Sequence, residues 1–444
     1  MSPTPSLSLG SRFGRLAVVN ILSNVTVPLA SLIDTAFLGH LPDPDPLAGV
    51  ALATLLFNVF YWSFGFLRMS TTGLTAQAVG RQDRAAILAV GLRSAGMAVV
   101  IGLGLLALQQ PLGYWGFELI QGTPEVKAAG QLYFGSRLWG APAYLLNLAA
   151  LGWFLGLEKG GRVLVLAVVG NGANIWLNYE LIVRRGMSSL GAGWATALSD
   201  WIALGVALII AIPLIRQYPL RAALAQVWDP VEIRRIGQLN GDIWLRTLMM
   251  VGSFSGFTML SATLGTVVLA AHTLMIQAVS LAAYFIDGFA FATESLAGIF
   301  YGQRDSLRLR ALLGMSGRAS LFTGILFGLF MVMMPDFWFG LLTQQTALLD
   351  HIRTHVGWLV PMLGFGSLAY MLDGYFLGLT QGRILRWSSI AATGLGFVPL
   401  AVVAGSLGNS HLLWLAMVGF MAGRVISLAL WVPFSLQFGI HVRT

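Results

Sequence analysis

Gly152-Trp153-Phe154-Leu155-Gly156-Leu157 returns as Gly374-Tyr375-Phe376-Leu377-Gly378-Leu379, 222 residues further along a chain of 444. The same offset carries Gly80-Arg81-Gln82-Asp83 onto Gly302-Gln303-Arg304-Asp305. The chain thus reads as a tandem duplication of one long apolar unit. Repeats of this kind build proteins that hold a ligand between two halves and move one half against the other, so transport is the first function class implied.

Working outward from the repeat, 57% of the residues are hydrophobic and only 10% charged, too few charges to solvate an ordinary globular surface. The solvent must be lipid. Apolar stretches of about 20 residues or more, each able to cross about 30 Å of hydrocarbon as a helix, centre on residues 14–38, 48–78, 88–113, 131–157, 162–183, 190–215, 239–264, 267–300, 311–335, 354–379, 387–407 and 411–436. The expected fold class is an all-α integral membrane protein, with twelve transmembrane helices in two six-helix lobes related by pseudo-twofold symmetry. The N-terminal lobe is placed at residues 1–218, a cytoplasmic linker at 219–237 and the C-terminal lobe at 238–444. The linker carries Pro219, Pro230 and the pair Arg234-Arg235. An even number of crossings per copy returns the chain to one side, so the repeats are parallel, related by an axis along the membrane normal. The copies differ most obviously between Gly39 and Leu47, where Pro42, Pro44 and Pro46 stiffen a longer loop than the one from Gly265 to Leu269.

The net charge of +8 is a topology signal rather than a nucleic-acid footprint. Most of the basic residues outside the apolar stretches fall on one side, from Arg12 and Arg15 through Arg234 and Arg235 to Arg443, whereas Lys127, Arg184, Arg185 and Arg353 fall on the other. This asymmetry puts both termini in the cytoplasm of a cell bounded by its plasma membrane, a bacterial inner membrane. Met1 to Gly10 shows neither a basic n-region nor a cleavage site, so no signal peptide is expected. There is no cysteine, which removes disulfides and thiolate chemistry. The six histidines show no evident metal-ligand spacing, and no Walker loop, dinucleotide fingerprint or nucleophile elbow is present, so neither an enzyme nor a resident cofactor is expected. Nucleic acid is not an expected partner; membrane lipid is, and the chain is expected to work as a monomer.

Charges at membrane depth are costly and mark functional candidates. Asp34, in Leu32-Ile33-Asp34-Thr35-Ala36-Phe37-Leu38-Gly39, lies about 30 Å from the inner start of the first stretch, where it can exchange a proton as a cavity opens to either side. The competing reading is an aspartate at a helix end, solvated by the outer loop. Asn171, Asn174 and Asn178 are spaced i, i+3 and i+7, which places them on one face of the fifth stretch. Asn178 falls at about 24 Å from the inner end, close to the depth of Asp34. Carboxylate and amides at one depth suit a proton, a small cation or a polar substrate group; interhelical hydrogen bonding is the alternative. Thr196 in the sixth stretch offers a hydroxyl. In the second half, Asp287 and Glu294 share a face at i and i+7, Glu294 and Arg246 sit at matching depths suited to an ion pair, and Asp373 stands where the first copy has Leu151, with no evident partner. Asp200 and Arg424 sit mid-helix at nearly matching places in the sixth and twelfth stretches, where a lock between the lobes is a minor reading.

These residues resemble the multidrug and toxic compound extrusion (MATE) transporters, above all their DinF-like branch. The resemblance is carried by Asp34 to Leu41, by Phe66-Leu67-Arg68-Met69-Ser70-Thr71-Thr72-Gly73-Leu74-Thr75-Ala76-Gln77-Ala78, by Gly152 to Gly156, and by Ala270-Ala271-His272 leading into Asp287-Gly288-Phe289-Ala290. It implies a MATE/MOP-type fold with a V-shaped cavity, and efflux of small organic cations or amphipathic compounds by alternating access, in exchange for H+ or Na+. Asp34 matches the family's coupling aspartate on the first helix, Asn174 the asparagine on the fifth and Thr196 the threonine on the sixth. The family's usual second aspartate is Asn178 here. With one negative charge missing, and with Asp242 near the entrance of the seventh helix rather than within it, H+ is favoured over Na+ as the coupling ion. The alternative function is a flippase for a lipid-linked molecule, whose anionic cargo would call on buried Arg68, Arg246 and Arg424.

Overall fold

The computed structural model describes residues 8–437, apart from the side chains of Val59, Phe60 and Trp62. The expectations placed on the first seven residues, on Arg443 and on the sidedness of both termini lie outside the described residues.

The described residues are helical almost throughout. In the first half the helices are α1 (Leu9–Gly39), α2 (Asp45–Ser63), α3 (Phe66–Gly80), α4 (Arg84–Ala107), α5 (Gln109–Glu118), α6 (Pro124–Leu138), α7 (Ala141–Gly156), α8 (Gly160–Asn178), α9 (Ser188–Ile215) and α10 (Leu220–Val227). They are followed by α11 (Pro230–Thr263), α12 (Thr266–Gly302), α13 (Ser306–Met333), α14 (Pro335–Gly340), α15 (Thr346–His355), α16 (Leu359–Gly378), α17 (Gly382–Ala391), α18 (Val398–Leu407) and α19 (Ser410–Ser435). Among the described residues ten spans are long and apolar enough to cross a membrane, and α6 with α7, bent by 53°, makes one more if the pair is one span. With α2 and α3 filling the second predicted stretch, the architecture matches the expected twelve crossings. The bend has a local cause: Pro142, at the start of α7, has no N–H to continue the ladder of α6.

Two compact units emerge. One is Leu22–Ile236; the other runs from Gly237 onward and includes the chain up to Ile21. α1 therefore contributes to both. Its first half packs inside the second unit, where Phe13 stacks on Phe289 at 6.1 Å and a Cβ on Gly288 would collide with Ile21. The stretch read as linker contains α10 and the start of α11. α10 is fastened to α4, because Arg93 Nε donates to the Val227 carbonyl at 3.1 Å and Arg93 also donates to the Gln226 carbonyl.

The duplication is preserved in the packing. A Cβ on Gly156 would meet the Thr72 carbonyl oxygen and the Ala76 nitrogen, and one on Gly378 the Glu294 carbonyl oxygen and the Gly298 nitrogen. Likewise Gly152 abuts the Arg68 carbonyl and Gly374 the Ala290 carbonyl. Each pair is offset by the same 222 residues as the motif itself. The repeated glycines thus let α7 approach α3, and α16 approach α12, at backbone distance. Beyond them Asp83 and Asp305 cap α4 and α13, accepting from Ala86 N and Arg308 N at 2.9 Å each.

Candidate functional site

In the first unit, α8 lays its asparagine stripe along α1. Asn171 Nδ2 donates to Thr26 Oγ1 at 2.6 Å, and Thr26 Oγ1 donates to the Ser23 carbonyl. Two turns further on, Asn178 Nδ2 donates to Asp34 Oδ1 at 2.5 Å and to Asn174 Oδ1 at 3.3 Å. Asn174 and Asn178 are buried, Asp34 half-buried. Asn174 Nδ2 donates to Thr196 Oγ1 at 3.4 Å, so the four residues form one chain of polar contacts. The amide of Asn174 has two orientations to choose between. In the other one its nitrogen donates to both oxygens of Asp34, at 2.8 and 3.0 Å. An ionised carboxylate can only accept, so the orientation that turns the Asn174 nitrogen toward Asp34 is the one that satisfies the carboxylate.

Several features here were not singled out in the sequence. Immediately after Asn178, the chain widens into a π-helical turn, Tyr179–Arg184, a local irregularity common at functional sites. Glu180 on that turn pairs with Arg184 and Arg185 at 3.4 and 3.3 Å. Arg137 lies in an aromatic surround, 4.4 Å from the Phe57 ring and 5.3 Å from the Tyr61 ring, and donates to Tyr133 OH at 2.6 Å. Its charge acts on both Asp34 and Asp200. The signal was available, since Arg137 is a charge inside the stretch 131–157. Pro28 also sits within α1, where it removes one backbone donor between the two parts of that helix.

The second unit corrects one expectation. Asp373 on α16 has partners: Arg246 from α11 and Arg424 from α19 both donate to its Oδ2. All three side chains are buried. Arg424 also lies over the Tyr370 and Phe420 rings, at 5.4 and 5.6 Å, and the charge of Asp287 acts on it. Arg424 is thus engaged within its own unit, and Asp200 lies under the influence of Arg137. Glu294 is fully buried on α12. Asp242 lies within α11, about three turns past its start at Pro230 rather than at its entrance as expected, and there it is buried and accepts from Arg386 at 2.5 Å. The second unit therefore holds its central acid in a closed ion cluster, while the acid of the first faces amides.

Helical units that repeat one another, spans long enough for a membrane and a polar cluster set inside them define a multi-pass membrane protein of the repeat-built transporter class. The MatE family model matches the chain twice, at residues 20–180 and 243–403, and the chain belongs to that family of transporters. It is 33% identical over 414 residues to DNA damage-inducible protein F of Escherichia coli (strain K12), covering 93% of this chain and 90% of that one. A probable multidrug resistance protein NorM of Synechococcus is 27% identical, covering 97% and 91%. Among solved structures, MATE in the bent conformation superposes with a TM-score of 0.85 at 19% identity, covering 96% of this chain and 95% of that one. A MOP superfamily transporter from Pyrococcus furiosus superposes at 0.82 with 21% identity over 96% and 95%.

Proposed function

We propose that the chain is a secondary active exporter of small organic cations or amphipathic compounds, working by alternating access in exchange for H+. The observation that carries this reading is the contact of Asp34 with Asn178 and Asn174 inside an otherwise apolar unit. A carboxylate in such a place takes and gives protons as its access to water changes. Turned with its nitrogen toward the carboxylate, the amide of Asn174 donates to both oxygens of Asp34. Proton is favoured over Na+ because Asn178 presents its N–H to the carboxylate, whereas a hard cation takes oxygen ligands.

A lipid flippase reading draws less support. Two of the buried arginines on which it would rest, Arg246 and Arg424, already donate to Asp373. The names of the relatives, multidrug resistance proteins among them, agree with organic cargo. The proposed setting is a bacterial inner membrane, with both termini cytoplasmic.

The test is transport by the purified chain in proteoliposomes, with a panel of fluorescent organic cations and an imposed pH or Na+ gradient. The expected result is uptake driven by the pH gradient alone. Uptake driven by Na+ alone would refute the coupling ion; scrambling of a labelled lipid with no cation uptake under either gradient would refute export.

A further inference from the structure

Three histidines distant in sequence meet in the second unit. His351 and His355 are one turn apart on α15, and His272 comes from the start of α12. One ring nitrogen from each lies within 4.8 Å of the others. His272 and His355 are 1% and 4% exposed. The hydrogen-bond network fixes which nitrogens carry protons. Ser261 Oγ donates to the Phe257 carbonyl, so its contact with His272 Nδ1 at 2.8 Å is one it accepts, and His272 Nε2 is left as a bare lone pair. His355 Nδ1 is 2.9 Å from the His351 carbonyl, which can only accept. Its Nε2 is therefore the lone pair that Ser410 Oγ meets at 2.7 Å.

Two of these rings end in buried nitrogens with nothing to bond: His272 Nε2 and His351 Nε2. The Trp414 ring, 5.4 Å from that of His272, adds a buried indole N–H that also has no acceptor. Buried polar atoms left unsatisfied at one place call for an ion or water. One nitrogen of each ring lies within reach of the others; His272 and His355 are held by Nδ1–H donors to a hydroxyl and a carbonyl, Phe257 and Trp414 back His272, and His351, stacked on His355 at 4.1 Å, brings its lone pair to a shared ion by turning its ring. This is the arrangement by which outer contacts orient histidine toward a metal.

We propose that His272, His351 and His355 bind one divalent transition-metal ion of the Zn2+ type, which ties α15 to α12. Three neutral imidazoles suit Zn2+, Ni2+ or Cu2+ rather than Mg2+ or Ca2+. Zn–N bonds of about 2.0–2.1 Å in a tetrahedral site require the nitrogens to draw together by up to about 1.5 Å, a movement open to the half-exposed ring of His351. His411 stacks on His355 at 4.0 Å, and Ser410 Oγ lies 2.7 Å from His355 Nε2, a contact that metal binding at that nitrogen replaces. The site involves none of the residues assigned to transport and stands apart from that reading.

The test uses the full chain without a histidine tag, in nanodiscs, titrated with Zn2+ and with Co2+ as a spectroscopic probe. Expected are one tight equivalent per chain, visible Co2+ bands of nitrogen coordination, and a thermal midpoint raised by Zn2+ but not by Mg2+. His351→Ala, the least buried of the three, should weaken binding by about 10–100-fold and abolish the Zn2+-dependent thermal shift, while His40→Ala retains both. His272→Gln should act as His351→Ala does. Absence of binding by the unaltered chain, or binding that survives both His351→Ala and His272→Gln, overturns the proposal and leaves a buried water as the occupant.

Discussion

Asn178 Nδ2 donates to Asp34 Oδ1 at 2.5 Å, and so joins α8 to the part of α1 that lies in the same unit. An amide at this position holds the carboxylate without competing for its proton. Were it a second carboxylate, two like charges at that distance could not both ionise, and the pair would titrate as one system.

Asp34→Asn is therefore expected to abolish pH-gradient-driven transport while leaving thermal stability within about 1 kcal/mol, because Asn keeps the shape and can still pair with both asparagines. Asn178→Asp is expected to retain transport with a pH dependence displaced by at least about one unit, since a shift of that size corresponds to about 1.4 kcal/mol of interaction. Proteoliposome assays across a pH series read both. Wild-type rates in Asp34→Asn remove this residue from coupling, and an unchanged profile in Asn178→Asp reduces the stripe to packing.

Arg137 supplies a second lever on the same unit. Its guanidinium is held by aromatic rings and Tyr133 OH and its charge reaches Asp34 and Asp200. Arg137→Gln is expected to destabilise by about 1–3 kcal/mol, through the lost charged hydrogen bond and stacking, and to alter the pH dependence of transport. Arg137→Lys should restore the pH dependence better than the stability, because ammonium keeps the charge but not the planar stacking. Thermal unfolding in detergent and the transport profile separate the two effects; identical profiles for Gln, Lys and Arg would confine Arg137 to structure.

What could be read from the sequence follows a physical division. Helical spacing fixes a face and residue count fixes a depth, so the asparagine stripe and Asp34 could be set side by side before any coordinates. Contacts that depend on how distant helices rotate against one another carry no such signal. Asp373 shows no partner in the sequence because Arg246 and Arg424 stand 127 and 51 residues away, on helices whose facing sides the pattern does not specify. The stretch 131–157 reads as one helix because composition is continuous across the bend between α6 and α7. His351 and His355 are visibly one turn apart, yet only the fold brings His272 to them.

The repeated glycines give a prediction about packing. Gly378 carries no Cβ because the backbone of α12 occupies that space, so Gly378→Ala must push two helices apart. The expected loss is about 1–3 kcal/mol, with a similar loss for Gly156→Ala in the first unit, where Thr72 and Ala76 stand in the matching places. Gly314→Ala is the control, since no atom lies within 4 Å of its added methyl, and it should stay within about 0.5 kcal/mol. Equal thermal midpoints for all three variants would mean that the duplicated motif does not set the helix spacing.

The ion cluster of the second unit yields the last prediction. Asp373 is the acceptor shared by two buried arginines, so neutralising it leaves two guanidiniums facing each other with their common counter-charge removed. Asp373→Asn is expected to cost about 3–5 kcal/mol, the scale for removing one partner from a buried ion pair. Arg246→Met combined with Asp373→Leu should cost less than Asp373→Asn, because it removes one positive charge along with the negative one, and apolar side chains of similar volume replace the pair without a desolvation penalty. Thermal unfolding of the three proteins in the same detergent makes the comparison. If Asp373→Asn unfolds at the wild-type temperature and transport alone is lost, the carboxylate serves coupling rather than the stability of the unit.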